Sequence, residues 1–124
     1  MGHKIMILED DEAILSILTR KLTSQLFEVD STPEIENAKK LLEKTAYSVA
    51  IVDLGLSHLD HTGGLDMVKY INERYPNTRI LVYTGNDNPD VRDLASQYGA
   101  DRFMVKPVQL DELSMTVMSL CGEV

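Results

Sequence analysis

A chain of 124 residues with 44% hydrophobic content has room for one ordinary core and none for a second domain. Twenty acidic residues against twelve basic ones leave a net charge of −8, which repels phosphate backbones and anionic lipid heads and argues against direct nucleic-acid or membrane binding. The single cysteine, Cys121, excludes an internal disulfide, no apolar run nears the roughly 20 residues that span a bilayer, and the N-terminus does not read as a signal peptide, so a cytoplasmic protein is expected.

In chain order, Ile5 to Leu8 is a short apolar run of the kind buried on both faces of a parallel sheet. Ile14, Ile17, Leu18 and Leu22 follow at helical spacing. Phe27-Glu28-Val29-Asp30 alternates apolar with polar, as a strand nearer a sheet edge does. Ile35, Ala38, Leu41 and Leu42 carry a second helix, and Thr32-Pro33 reads as a capping side chain ahead of a proline at the first helical position. Val49 to Val52 is the next buried strand, followed by a helix through Leu65, Val68, Ile71 and Tyr75. Ile80 to Tyr83 is another such strand. Asn88-Pro89 repeats the start signal ahead of a helix through Val91, Leu94, Ala95 and Tyr98, and Gly99 suits its stop. Arg102 to Val105, short and flanked by charge, reads as a second edge strand. Leu110, Leu113, Val117 and Leu120 mark the last helix, on which Cys121 reads as a small core residue.

Five strands alternating with five helices predict an α/β domain: a doubly wound parallel sheet with right-handed crossovers and helices on both faces. No repeat, linker or low-complexity segment interrupts the pattern. Ligand sites in such sheets lie at the carboxyl ends of the strands, where the strand order reverses. The residues there are Glu9-Asp10-Asp11 after the first strand, Asp53 after the third, Thr84 after the fourth and Lys106 after the fifth. In the flavodoxin-like order 2-1-3-4-5, Glu9, Asp10 and Asp53 converge in one crevice. Three carboxylates held together repel one another, and a hard divalent cation such as Mg²⁺ resolves the conflict. Lys106 adds a compact cation and Thr84 a hydroxyl, so nucleophile, metal residues and charge-stabilising donors of a phosphoryl-transfer site are all present. Taken singly, Asp11 and Glu12 read as helix-start charges, Thr84 as a turn former and Lys106 as a solvated tip.

From about Lys4 to Leu120 the chain resembles a response-regulator receiver domain of the CheY-like family, which serves two-component signalling. The resemblance rests on Ile7-Leu8-Glu9-Asp10-Asp11-Glu12, Ile51-Val52-Asp53-Leu54, Val82-Tyr83-Thr84-Gly85 and Val105-Lys106-Pro107, in order and at family-like spacing. It implies that Asp53 takes a phosphoryl group from a sensor histidine kinase or histidine phosphotransfer protein. It further implies that Asp10, Asp53 and the backbone carbonyl of Gly55 contact Mg²⁺ (or Mn²⁺), with Glu9 acting through water. Thr84 would swing toward the phosphoryl oxygens, Lys106 would pair with them, and the Lys106-Pro107 bond would be cis. Gly85 would leave space beside the acceptor. Phe103, standing where the family often has tyrosine, would turn with Thr84 and alter a surface made by the fourth helix, fifth strand and fifth helix, from Val91 to Leu120, for an unknown downstream protein. The chain is expected to be a monomer or a phosphorylation-dependent dimer.

Three features depart from the family pattern. The stretch Leu56-Ser57-His58-Leu59-Asp60-His61-Thr62-Gly63-Gly64 carries a short insertion, in which His58 and His61 read as solvated side chains because no third metal ligand accompanies them. Phe103 lacks the tyrosine hydroxyl. Gly55 and Asn86 occupy the positions two beyond the acceptor and the switch residue, where side chains tune water attack, and Gly55 cannot orient a water.

Rival functions fit less well. A haloacid-dehalogenase-type aspartyl phosphatase requires a second Asp two residues after the nucleophile, where this chain has Gly55. An FMN binder requires a Ser/Thr/Gly-rich turn after the first strand, and Glu9-Asp10-Asp11 would repel the phosphate. A degenerate, phosphorylation-independent interaction module would have lost an acidic residue, Asp53 or Lys106, and all are present.

Overall fold

The three nearly continuous apolar runs form the middle of the sheet, because a strand without a polar face must be covered on both sides. In the computed structural model, which describes residues 2–55 and 63–122, they are β1 (Lys4–Leu8), β3 (Val49–Val52) and β4 (Arg79–Thr84). The edges are β2 (Glu28–Thr32) and β5 (Arg102–Val105), and all neighbouring pairs in the order β2-β1-β3-β4-β5 are parallel. The expected sheet and strand order are therefore those observed. β2 starts later than Phe27 because the Phe27 N–H closes the preceding helix on the Leu22 carbonyl (3.2 Å), and the ladder begins only beyond it.

Successive strand residues face opposite sides, so each strand feeds two cores. Met6, Leu8, Ala50, Val52, Ile80 and Val82 pack against α2 (Ile35–Lys44), α3 (Gly63–Arg74) and α4 (Pro89–Tyr98) through Ala38, Leu42, Val68, Ile71 and Ala95. Ile5, Ile7, Val49, Ile51, Leu81 and Tyr83 pack against α1 (Glu12–Ser24) and α5 (Leu110–Gly122) through Leu18, Leu22, Leu113, Val117 and Leu120. Cys121 is buried in this second core, and burial pushes its thiol pKa up, as suits an unreactive packing residue.

Local signals were realised unevenly. Asn88 caps α4 by accepting the Asp90 N–H at 2.8 Å, with Pro89 first in the helix, and Gly99 ends α4 in the left-handed region at φ 117°. Asp11 caps α1, accepting from the Ala13 and Ile14 N–H groups at 3.0 and 3.1 Å. Thr32-Pro33 departs from expectation: Thr32 is the last residue of β2, and α2 begins at Ile35 behind Glu34, which makes no side-chain cap. The Thr32 hydroxyl is drawn instead into the β2–α2 turn, accepting the Glu34 N–H and the Asn37 amide. Ile17 is a second correction, being 48% exposed although spaced with the α1 core residues. Tyr75 lies just past the end of α3, its N–H still bonded to the Ile71 carbonyl.

One close approach seats the end of β3. A Cβ built on Gly64, in the first turn of α3, would lie 2.3 Å from Leu54 Cα and 2.6 Å from the Asp53 carbonyl oxygen. Both obstructing atoms are backbone and cannot turn aside. Gly64→Ala is therefore expected to lower stability by ~1–3 kcal/mol, the range of core overpacking, and urea unfolding at an unchanged m-value measures it.

Candidate functional site

The site is assembled by ladder bonds carried past the strand ends. The Asp53 N–H reaches the Leu8 carbonyl (3.0 Å), the Glu9 N–H the Thr32 carbonyl (3.1 Å), and the Lys106 N–H the Thr84 carbonyl (2.8 Å). These bonds hold Glu9, Asp53, Thr84 and Lys106 side by side along one rim of the sheet. Glu9, Asp53 and Thr84 are buried, unusual for two acids unless they are paired or bind an ion.

The pairing is supplied by Lys106. Its Nζ donates to Glu9 Oε1 at 2.5 Å and to Asp53 Oδ2 at 3.3 Å, with the lysine side chain only 17% exposed. The Glu9 Oε2 atom accepts the Asp11 N–H (3.1 Å) and Asp53 Oδ1 accepts the Gly55 N–H (3.1 Å). Asp10, partly buried, brings the third carboxylate. The Lys106-Pro107 bond is cis.

One ammonium does not neutralise three carboxylates. Burial pushes the Glu9 carboxyl up to about 7, against the pull of the Lys106 hydrogen bond, and nearby Asp53 adds to the rise. Burial pulls Lys106 down, but its hydrogen bond to Glu9 and the charges of Asp53 and Glu9 prevail and hold the ammonium above its ordinary value. The crevice is thus electrostatically unfinished. Glu9, Asp10 and Asp53 each offer a carboxylate oxygen within 4.8 Å of the others. Two oxygens bound to one Mg²⁺ at ~2.0–2.1 Å can be about 4.2 Å apart at most, so a small side-chain adjustment or a bridging water suits this trio to that ion. The donor set is all oxygen, as a hard cation requires.

Around the acceptor, a Cβ built on Gly85 would meet no atom within 4 Å, which leaves open space beside the crevice. Thr84 Oγ1 accepts the Asn86 N–H at 3.4 Å, and Asn86 Oδ1 accepts the Asn88 N–H at 3.0 Å. Phe103 is partly buried at the margin of the α4-side core, with the Arg92 guanidinium 4.9 Å from its ring centroid. His58 and His61 lie outside the described residues.

Three contacts were not legible from the sequence: the lysine bridge to both acids, the Gly64 approach and the Arg92–Phe103 stack. The Gly63-Gly64 pair opening a helix was the one local hint, since glycine there signals a close approach rather than helix propensity. The lysine bridge joins residues 97 and 53 positions apart and depends on the whole β1-β3-β4-β5 ladder, while the stack depends on how α4 packs beside β5.

A family model for the response regulator receiver domain matches residues 5–118. The two-component response regulator PhoP of Pseudomonas aeruginosa is 31% identical over 119 residues, covering 94% of this chain and 51% of that protein. The transcriptional regulatory protein BasR of Escherichia coli is 31% identical over 117 residues, again 94% of this chain and 51% of that one. This chain therefore spans about half the length of these curated relatives. Among solved structures, a CheY-like receiver domain protein from Methanospirillum hungatei superposes with a TM-score of 0.91 at 21% identity, over 99% of this chain and 96% of that one. The DrrB receiver domain activated with BeF3 gives 0.83 at 25% identity, over 99% of this chain and all of that one. Among the described residues no helix is long and apolar enough to cross a membrane. With the acidic trio, the lysine and the strand order all in agreement with the match, the chain belongs to the response regulator receiver domain family of two-component systems.

Proposed function

We propose that Asp53 is the phosphoacceptor and that a histidine kinase or histidine phosphotransfer protein is the donor. The observation that carries this reading is Lys106 Nζ spanning Glu9 and Asp53 within a three-carboxylate crevice at the strand ends. A carboxylate oxygen of Asp53 attacks the phosphorus of a phosphohistidine, the P–N bond breaks, and its electrons leave on the imidazole nitrogen, giving an acyl phosphate. Lys106 is placed to pair with the incoming oxygens, and the Gly85 opening admits them. Glu9, Asp10, Asp53 and the Gly55 carbonyl are the groups that would hold Mg²⁺ (or Mn²⁺), whose charge would offset that of the carboxylates and the phosphoryl oxygens.

The acyl phosphate adds roughly −1.5 to −2 charge, by analogy with phosphorylated hydroxyl side chains, and fresh acceptor oxygens. Thr84, two residues past Val82 on β4 and paired with Val105, moves toward them, and Phe103, the register partner of Val82, turns inward into the space left. The surface of α4, β5 and α5 changes as a result, without any ligand touching it. Residues 1–124 form a single cytoplasmic receiver domain on this reading, with its core over about 4–120, and it promotes only its own phosphorylation and dephosphorylation. An aspartyl phosphatase reading lacks a second acid near Asp53 on the Gly55 side.

The test is NMR of the chain with Mg²⁺, before and after acetyl phosphate. Wild type is expected to show shift changes at Asp53 and across Val91 to Leu120. Thr84→Ala is expected to keep the former and lose most of the latter, since the hydroxyl that follows the phosphoryl group is gone. Equal remote changes in both proteins would refute the coupling.

A further inference from the structure

Phe103 is partly buried at the margin of the α4-side core, where apolar and cationic neighbours both meet its ring. Its position opposite Val82 puts its side chain on the α4 side of the sheet, the side that Thr84 also faces. The ring packs on the apolar cluster that contains Val82 and Ala95, together with Val91, Leu94 and Ala100. Its other side borders a shallow cavity of about 270 Å³ that it lines together with Arg92, Ser96, Ala100, Asp101 and Arg102. The Arg92 guanidinium lies over the ring, 4.9 Å from the centroid. Asp101, the acid in the same cavity, is engaged by Arg79 (3.6 Å) and by the Ile80 N–H (2.8 Å).

Arg92 is also tied to Thr84. The Thr84 hydroxyl accepts the Asn86 N–H, the Asn86 side chain accepts the Asn88 N–H, and the Asn88 carbonyl accepts the Arg92 N–H (3.0 Å). Three hydrogen bonds thus run from the switch hydroxyl to the helix turn that carries the guanidinium. The first is the weakest at 3.4 Å, and an inward move of Thr84 would break it.

We propose that Arg92 is a latch holding Phe103, by a cation–π contact, in the partly buried position it occupies here rather than turned inward behind Thr84, and that the Thr84–Asn86–Asn88 relay couples release of this latch to phosphorylation. The proposal rests on the switching role given above to Thr84 and Phe103. A phenylalanine offers no hydroxyl to tether, so beyond its apolar packing the ring face is the handle that a charged α4 side chain can hold. On this proposal the contact is made in the position seen here and lost when the ring turns in behind Thr84, and an interaction made in one state alone shifts the balance between two states. Removing it therefore raises the inward population before any phosphoryl group arrives.

The test uses the chain labelled with ring-¹³C phenylalanine, in which Phe27, buried in the opposite core, serves as an internal folding control. Arg92→Gln keeps a good helix former at an exposed α4 position but removes the cation. In unphosphorylated protein it is expected to raise the inward Phe103 population about two- to fivefold, the factor for an exposed cation–π pair. Arg92→Lys is expected to retain part of the wild-type bias. An unchanged Phe103 rotamer distribution in Arg92→Gln, with the Phe27 signals unmoved, would overturn the latch. The switching role is judged separately, by whether wild-type Phe103 responds to Mg²⁺ and acetyl phosphate.

Discussion

Asp53→Asn is expected to abolish phosphorylation by acetyl phosphate in the presence of Mg²⁺, where wild type gains one phosphoryl group by mass spectrometry. The amide keeps the volume of the side chain, and its oxygen still accepts the Gly55 N–H made to Asp53 Oδ1. It carries no anionic oxygen to attack phosphorus, so the chemistry is lost while the fold is kept. The variant also removes one of three converging carboxylates, which leaves Lys106 bound to Glu9 alone. Its unfolding midpoint without metal is accordingly expected to match or exceed that of wild type. Label persisting at another residue in the variant would reassign the acceptor.

Glu9→Gln is expected to stabilise the metal-free protein above neutral pH while weakening Mg²⁺ binding. The folded Glu9 carboxyl is raised from 4.5 to about 7, chiefly by burial, so the folded state holds its proton more tightly than the unfolded state does. The sign follows from that: Glu9 favours folding most below its unfolded pKa of 4.5, and the contribution is lost as pH rises to about 7 and is flat beyond. The whole effect amounts to up to about 3 kcal/mol, and loss of the charged partner of Lys106 offsets part of it. Glutamine does not titrate, so urea midpoints for variant and wild type should lie close at pH 4.5 and diverge toward pH 8, the variant being the more stable. Addition of Mg²⁺ should close the gap, because the ion rewards the full set of charges. A stability difference that is constant with pH would show that Glu9 does not titrate in this range.

Both effects arise at residues that the sequence already singled out, and the reason is geometric. A strand buried on both faces can place polar chemistry only beyond its end, so Glu9, Asp10, Asp53, Thr84 and Lys106 stand out against the apolar runs that precede them. The strict alternation of strands and helices then brings those ends to one rim, because parallel strands joined by crossovers all finish at the same edge. Hydrophobic period determined the sheet and its layers in the same way, through the odd and even residues of β1, β3 and β4 that divide into two cores.

Helix starts were legible only where a side chain bonds within its own turn. Asn88 and Asp11 cap from a few residues away, whereas Thr32 was claimed by β2 because the strand ladder with Leu8 extends to it. Ile17 shows the same limit for burial: its spacing matches the α1 core, yet the helix turns it away from the packed sheet. What only the tertiary structure decided is the state of the crevice and of the switch. Whether Lys106 spans Glu9 and Asp53, how far burial raises the Glu9 carboxyl, and which cation rests on Phe103 depend on distances between residues remote in sequence. Charge interactions inside a protein change steeply with a few ångströms and with the exclusion of water, and neither is encoded in any local pattern.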